Sequence, residues 1–195
     1  MNAIASLVST LGGLYLLAIL LRFLLQIARA DFYNPLSQSV VRITDPVVRI
    51  FRSFIPGYRG IDFSCLVLAL LVEGLLITAL INLYGYEMPG IGSIVSWSLA
   101  GVILFILNIY FYAILATIIM SFVMLFSGSM NPHPILQLIW QLTEPVMAPI
   151  RNIIPPMGGL DFSPIFIFLG IEFLSSFLME VFGISEGVRQ VIVGV

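Results

Sequence analysis

Arg22, Glu73 and Glu172 lie deep inside long apolar stretches, where charge is costly, with Glu180 near the end of the last. Intramembrane charges of this kind either mark an ion or proton route or pair and hydrogen-bond between helices. On a helix that begins after Asp62, Glu73 stands eleven residues further on. That is about 16 Å along the axis, near the midplane of a bilayer. Glu172 takes the equivalent place, eleven residues after Asp161. Arg22 is the cation within an apolar stretch, and the reading pairs it with Glu73, which leaves Glu172 without a countercharge. The structural alternative is that Arg22 snorkels and each glutamate hydrogen-bonds to a neighbouring helix.

Other chemistry has less to build on. One cysteine, Cys65, excludes an internal disulfide and a cysteine metal cluster, and one histidine, His133, excludes the two-histidine zinc motifs. His133 with Met130 or Met147 would make a haem ligand set, but the Cys-x-x-Cys-His attachment motif is missing. Asp62 and Asp161 lack the further oxygen ligands that a hard cation needs. Every basic residue is arginine, and neither a nucleophile elbow nor a phosphate loop is present. The expectation is a chain that is not an enzyme and uses no metal or cofactor. With a net charge of -2 and no run of like charge, it offers nucleic acid no surface.

The elements that position these residues belong in a bilayer. Of 195 residues, 60% are hydrophobic and 9% charged, where a soluble domain is roughly a quarter charged. Four apolar blocks, 3–28, 63–84, 91–126 and 162–182, reach the roughly 20 helical residues that cross a core of about 30 Å. Ala28-Arg29-Ala30 resembles a signal-peptidase site, but a basic n-region is missing and Arg22 interrupts the apolar run, so the first block reads as a span. The third block exceeds one crossing, and a hairpin near Asn108 would place a turn in lipid.

An internal match resolves that block. "TDPVVRIFRSFIPGYRGIDFS" at 44–64 aligns without a gap to "TEPVMAPIRNIIPPMGGLDFS" at 143–163, an offset of 99. The offset carries the first span onto 102–127 and leaves 91–101 as a lead-in. Each copy reads as two short interfacial helices forming an elbow. Asn34 caps the first, with Pro35 at its opening position. Thr44 and Asp45 stop that helix and cap the next, as Thr143 and Glu144 do in the second copy, where Pro149 kinks or delays the helix. Asp62 and Asp161 cap the spans that follow. Leu36, Val40 and Ile43 share one face, continued by Val47, Ile50, Phe51, Phe54 and Ile55, with Arg42, Arg49 and Arg52 on the polar side. Such a helix lies in the membrane interface with its arginines toward anionic headgroups; packing of the arc on the protein's own spans is the alternative. The fold class is therefore an all-α membrane protein, with four transmembrane helices as two tandem parallel repeats, 1–89 and 90–195. Each repeat carries an amphipathic interfacial helical loop.

Arginine placement orients the chain. Arg29, Arg42, Arg49, Arg52 and Arg59 follow the first span and Arg151 follows the third, so loops 31–62 and 127–161 are expected in the cytoplasm and the termini in the periplasm. With "DFYNP" (31–35), "TDP" (44–46), "DFS" (62–64), "TEP" (143–145), "PIR" (149–151) and "IIPPMGGLDFSP" (153–164), the chain resembles the YggT family of small bacterial membrane proteins, called YlmG in Gram-positive and plastid relatives. The resemblance covers nearly the whole chain and brings no established catalytic residues. It implies an inner-membrane protein linked to osmotic or extracytoplasmic stress, potassium homeostasis or envelope organisation. Three functions follow as expectations: an elbow that binds lipid or a partner, a potassium or proton conduit through Glu73 and Glu172, and an assembly factor for another complex. Anionic lipid, a second copy or another membrane protein are the expected partners.

Overall fold

A computed structural model describes residues 3–55, 57, 60–127, 133–154 and 161–194, without the side chains of 124–127. The regular elements that run through the described residues are helices. These are α1 (Ala3–Ile27), α2 (Pro35–Arg52), α3 (Phe63–Tyr84), α4 (Ile91–Ser127), α5 (Pro134–Ile153), α6 (Ser163–Val181) and the short α7 (Glu186–Arg189). Four of them, α1, α3, α4 and α6, are long and apolar enough to cross a membrane. Arg59 and Met130 lie outside the described residues.

The ends of the helices follow local chemistry. α1 stops where Arg29 turns to a left-handed φ of 51°, and the Ala30 N–H donates back to the Leu25 carbonyl at 2.9 Å. α2 opens on Asn34, whose side chain accepts the Leu36 N–H, followed by Pro35. α3 opens on Asp62 and closes on Gly85, left-handed at φ 73°, a position at which glycine carries no Cβ penalty.

Two sequence expectations are corrected. The elbows were expected as pairs of short helices, yet α2 runs unbroken through Pro46 and α5 through Pro145 and Pro149. A proline removes one helical donor; here Pro46 and Arg42, the residue whose carbonyl it strands, are both exposed. Thr44, Asp45, Thr143 and Glu144 are consequently interior residues of α2 and α5, not caps. The threonine hydroxyls donate back along their own helices, Thr44 to the Val40 carbonyl at 2.8 Å and Thr143 to that of Ile139 at 3.0 Å. Residues 91–101 are also more than a lead-in. They continue α4 as one helix of 37 residues, about 55 Å long.

α1, α2 and α3 pack on one another, as do α4, α5 and α6, and the two groups meet through α3 with α4 and α1 with α5. One apolar core joins Leu16, Leu20 and Leu24 of α1 to Cys65 and Leu68 of α3, Val48 of α2 and Leu142 of α5. A second joins Ile77 and Leu80 to Leu104 and to Val191, Ile192 and Val193. The residues leading into α2 reach across to α5. The Asn34 amide donates to the Pro134 carbonyl at 2.7 Å and the Asp31 N–H to the Gln141 side chain at 2.9 Å.

Candidate functional site

Arg22 sits on α1, only 4% exposed. One guanidinium nitrogen donates to the Thr44 hydroxyl at 2.9 Å, the other to the Asp45 carboxylate at 3.0 Å. Both acceptors are on α2, so a buried cation ties the first elbow to the first span. The expected partner was Glu73, and that pairing is corrected by depth. Arg22 is five residues from the end of α1, about 8 Å along its axis, while Glu73 is eleven residues beyond Asp62, about 16 Å deep. A long arginine stem runs more readily out to the interface than down to the midplane.

The second elbow makes a different choice. At the offset of 99, Ser121 stands where Arg22 does. Glu144, in the place of Asp45, turns instead to Arg151 at 2.8 Å, and Arg151 also donates to Asp161 at 2.8 Å. The Arg151–Asp161 pair has its counterpart in the first elbow, where the Arg52 Nε donates to Asp62 at 2.7 Å, again over ten residues. Asp62 accepts the Ser64 N–H as well, and Asp161 the Ser163 N–H, so each aspartate serves its span and its elbow at once. Burial alone would raise the Asp62 carboxyl. The hydrogen bond and charge of Arg52 outweigh it and hold the group below the ordinary carboxylate range. At Asp161 burial is likewise outweighed by the Ser163 hydrogen bonds and by Arg151.

His133 caps α5: its Nδ1 accepts the Ile135 N–H at 3.3 Å. From sequence, this histidine was considered only as a metal or haem ligand. The offset of 99 carries Asn34-Pro35 onto His133-Pro134, and that equivalence was the available signal.

Glu73 is fully buried. Its Oε1 accepts the Val193 N–H at 3.0 Å, and its Oε2 has no hydrogen-bond partner among the described residues. Beyond α6 the chain turns back into the bundle, and the Asn108 amide donates to the Gly194 carbonyl. Two glycines make the space. A Cβ on Gly101 would lie 2.7 Å from the Glu73 Oε1 and 2.8 Å from Ile192, and one on Gly13 would lie 2.9 Å from Val193. Non-helical backbone at this depth requires burial in protein with its polar groups partnered. Nothing in the sequence reading anticipated this segment. Glu172, by contrast, is exposed on α6, so the fold places the two glutamates in different surroundings and joins neither to Arg22.

The elbows themselves leave apolar side chains uncovered. On α2, Val48 is buried and Val47 and Phe51 pack on the core, while Ile50 is 60% exposed and Phe54, just beyond the helix, 80%. On α5 Trp140 is 61% exposed. Arg52 is engaged by Asp62, whereas Arg42 and Arg49 are exposed and make no ion pair among the described residues.

The CCB3/YggT family model matches residues 1–84 and 96–182. An uncharacterized protein of Pseudomonas aeruginosa is 42% identical over 182 residues, 93% of this chain and 90% of that protein. An uncharacterized Vibrio alginolyticus protein is 36% identical over 190 residues, 94% of this chain and 97% of its own length. The uncharacterized protein YggT of Escherichia coli K12 is 34% identical over 184 residues, 93% of this chain and 92% of its own. No solved structure matches.

Proposed function

Because the chain belongs to the CCB3/YggT family, we propose that it is a non-enzymatic multi-pass protein of the bacterial inner membrane whose elbow helices engage anionic lipid or a membrane partner. Two tandem parallel repeats carry the elbows, both on the cytoplasmic side, with the termini in the periplasm. The process it serves is the response to osmotic or extracytoplasmic stress, or envelope organisation.

The observation that carries this reading is on and just beyond α2. Ile43, Ile50 and Phe54 are exposed, and Arg42 and Arg49 are exposed cations beside them. An apolar sector next to free arginines, on a helix fixed to the ends of two spans, suits the interface plane. Each arginine near an anionic surface contributes about 1 kcal/mol. Trp140 on α5 has the amphipathic character of residues at headgroup level. A conduit through Glu73 and Glu172 gains no support from their placement, one sealed against Val193 and the other facing outward.

Reconstitution into vesicles of graded anionic-lipid content tests the reading. The wild-type chain is expected to bind phosphatidylglycerol in a salt-sensitive way, and Arg42→Gln with Arg49→Gln is expected to abolish that sensitivity and impair the cellular stress phenotype. Unchanged lipid dependence and unchanged phenotype would remove the elbow's charge from the mechanism.

A further inference from the structure

A cavity of about 560 Å³ lies between α1 and α4, beneath α5. Leu17 and Leu21 form one wall, Ile109, Ala113 and Ala116 the other, and Leu142 of α5 the roof. Its polar lining side chain besides Tyr112 is Asn108, whose amide already donates to the Gly194 carbonyl. A second apolar cavity of about 220 Å³ adjoins it under both elbows and shares Leu21, Ile139 and Leu142 with it. Tyr112 on the rim and Leu14 on α1 are exposed, so the open side runs into the outward surface of two spanning helices.

We propose that this cavity is a binding site for one acyl chain of a membrane phospholipid. The space cannot stay empty at no cost, because atoms lining a void lose their dispersion partners. Water is a poor occupant, since a buried water needs two to four polar partners and the lining supplies almost none. The volume lies in the range of pre-formed ligand sites, roughly 300–1,000 Å³. What the bilayer presents at the open side is hydrocarbon. Ala113 and Ala116 keep the α4 wall low, and the smaller cavity prolongs the channel toward the elbow end, where a headgroup would remain at the interface. The site is distinct from the arginines of α2: the chain is held by apolar packing whether or not Arg42 and Arg49 meet a headgroup.

The test is phospholipid retained by the purified protein after extensive detergent washing, quantified by mass spectrometry. Wild type is expected to keep about one phospholipid per chain, as a single-site pocket would. Ala113→Leu with Ala116→Leu fills the space and is expected to lose that lipid, while Leu169→Phe on the outward face of α6 keeps it. Arg42→Gln with Arg49→Gln is expected to keep it too, which separates this site from the elbow reading. Where the double alanine variant does not fold, Ala116→Leu alone is compared with wild type by the rise in unfolding temperature on adding phosphatidylglycerol to delipidated protein. No retained lipid in wild type overturns the proposal. So does equal retention in the filled variant, or an equal temperature rise in Ala116→Leu.

Discussion

The junction of Arg22 with α2 can be separated from any coupling to Glu73 by two double-mutant cycles. Asp45→Ala leaves a guanidinium that is 5% exposed with Thr44 as its remaining side-chain partner. Breaking a buried pair costs about 3–5 kcal/mol. Asp45 itself is 45% exposed, so solvent screening brings the figure down to that of a charged hydrogen bond, about 1.5–3 kcal/mol. Glu73→Leu strands the buried Val193 N–H instead, at about 1–3 kcal/mol. The single losses are therefore similar, and only the cycles distinguish the two arrangements. Arg22→Leu combined with Asp45→Ala is expected to show a coupling of about 1–2 kcal/mol, within the range for residues in direct contact. Arg22→Leu combined with Glu73→Leu is expected to be additive within about 0.5 kcal/mol, as for sites without shared partners. Unfolding in detergent reads both, each kcal/mol moving the midpoint about 2–4 °C for a chain of this length. A larger coupling of Arg22 to Glu73 than to Asp45 would refute the arrangement.

Three further outcomes follow from named contacts. Gly101→Ala places a methyl 2.7 Å from the Glu73 carboxylate and 2.8 Å from Ile192; it is expected to cost about 1–3 kcal/mol and to raise thiol labelling of a cysteine at Val193, and unchanged labelling would show that the segment yields without leaving. Asp62 titrates below its unfolded value, so its contribution is complete above the ordinary carboxylate range, about pH 4, and is lost as acidification passes through the lowered folded value; Asp62→Asn should flatten that acid limb of the stability profile, and an unaltered limb would assign it elsewhere. With Cys65 buried, an impermeant thiol reagent outside the cell is expected to reach a cysteine at Glu87 but not at Arg49 or Trp140, and labelling at Trp140 alone of the latter two would mean that the second elbow faces the opposite side.

What could be read from sequence was what is local. Span length and apolarity mark α1, α3, α4 and α6 directly. Asn34 and Asp62 act within two residues of themselves, and a cap is legible at that range. Thr44-Asp45-Pro46 misled because propensity alone breaks a helix at proline, whereas a helix held from the side by Arg22 and Val48 tolerates one stranded carbonyl on its exposed face. The Arg22 partner was chosen by sign of charge, and depth decided it. Glu73 was recognised as exceptional, but its donor is a backbone N–H 120 residues away. Backbone partners leave no trace in side-chain identity; the fingerprints are Gly13 and Gly101, which look like any other small residues in a span.

The difference at one position, Arg22 against Ser121, explains why two nearly matched elbows differ in ion pairing. Each copy has an acid after its threonine, an arginine seven residues later and an aspartate ten residues beyond that. In the first, Arg22 draws Asp45 away, so Asp62 alone answers Arg52. In the second, Ser121 offers no cation, and Glu144 and Asp161 both close on Arg151. The positions equivalent to Arg42 and Arg49 are Gln141 and Ala148, so α5 holds no arginine beyond the one already neutralised twice. Among the described residues, the elbow arginines without an ion pair are thus those of α2, while α5 contributes Trp140 and the roof of the apolar cavity. A headgroup attracted to α2 and an acyl chain seated below α5 would be held by different helices, and for that reason charge removal on α2 and cavity filling on α4 should act independently.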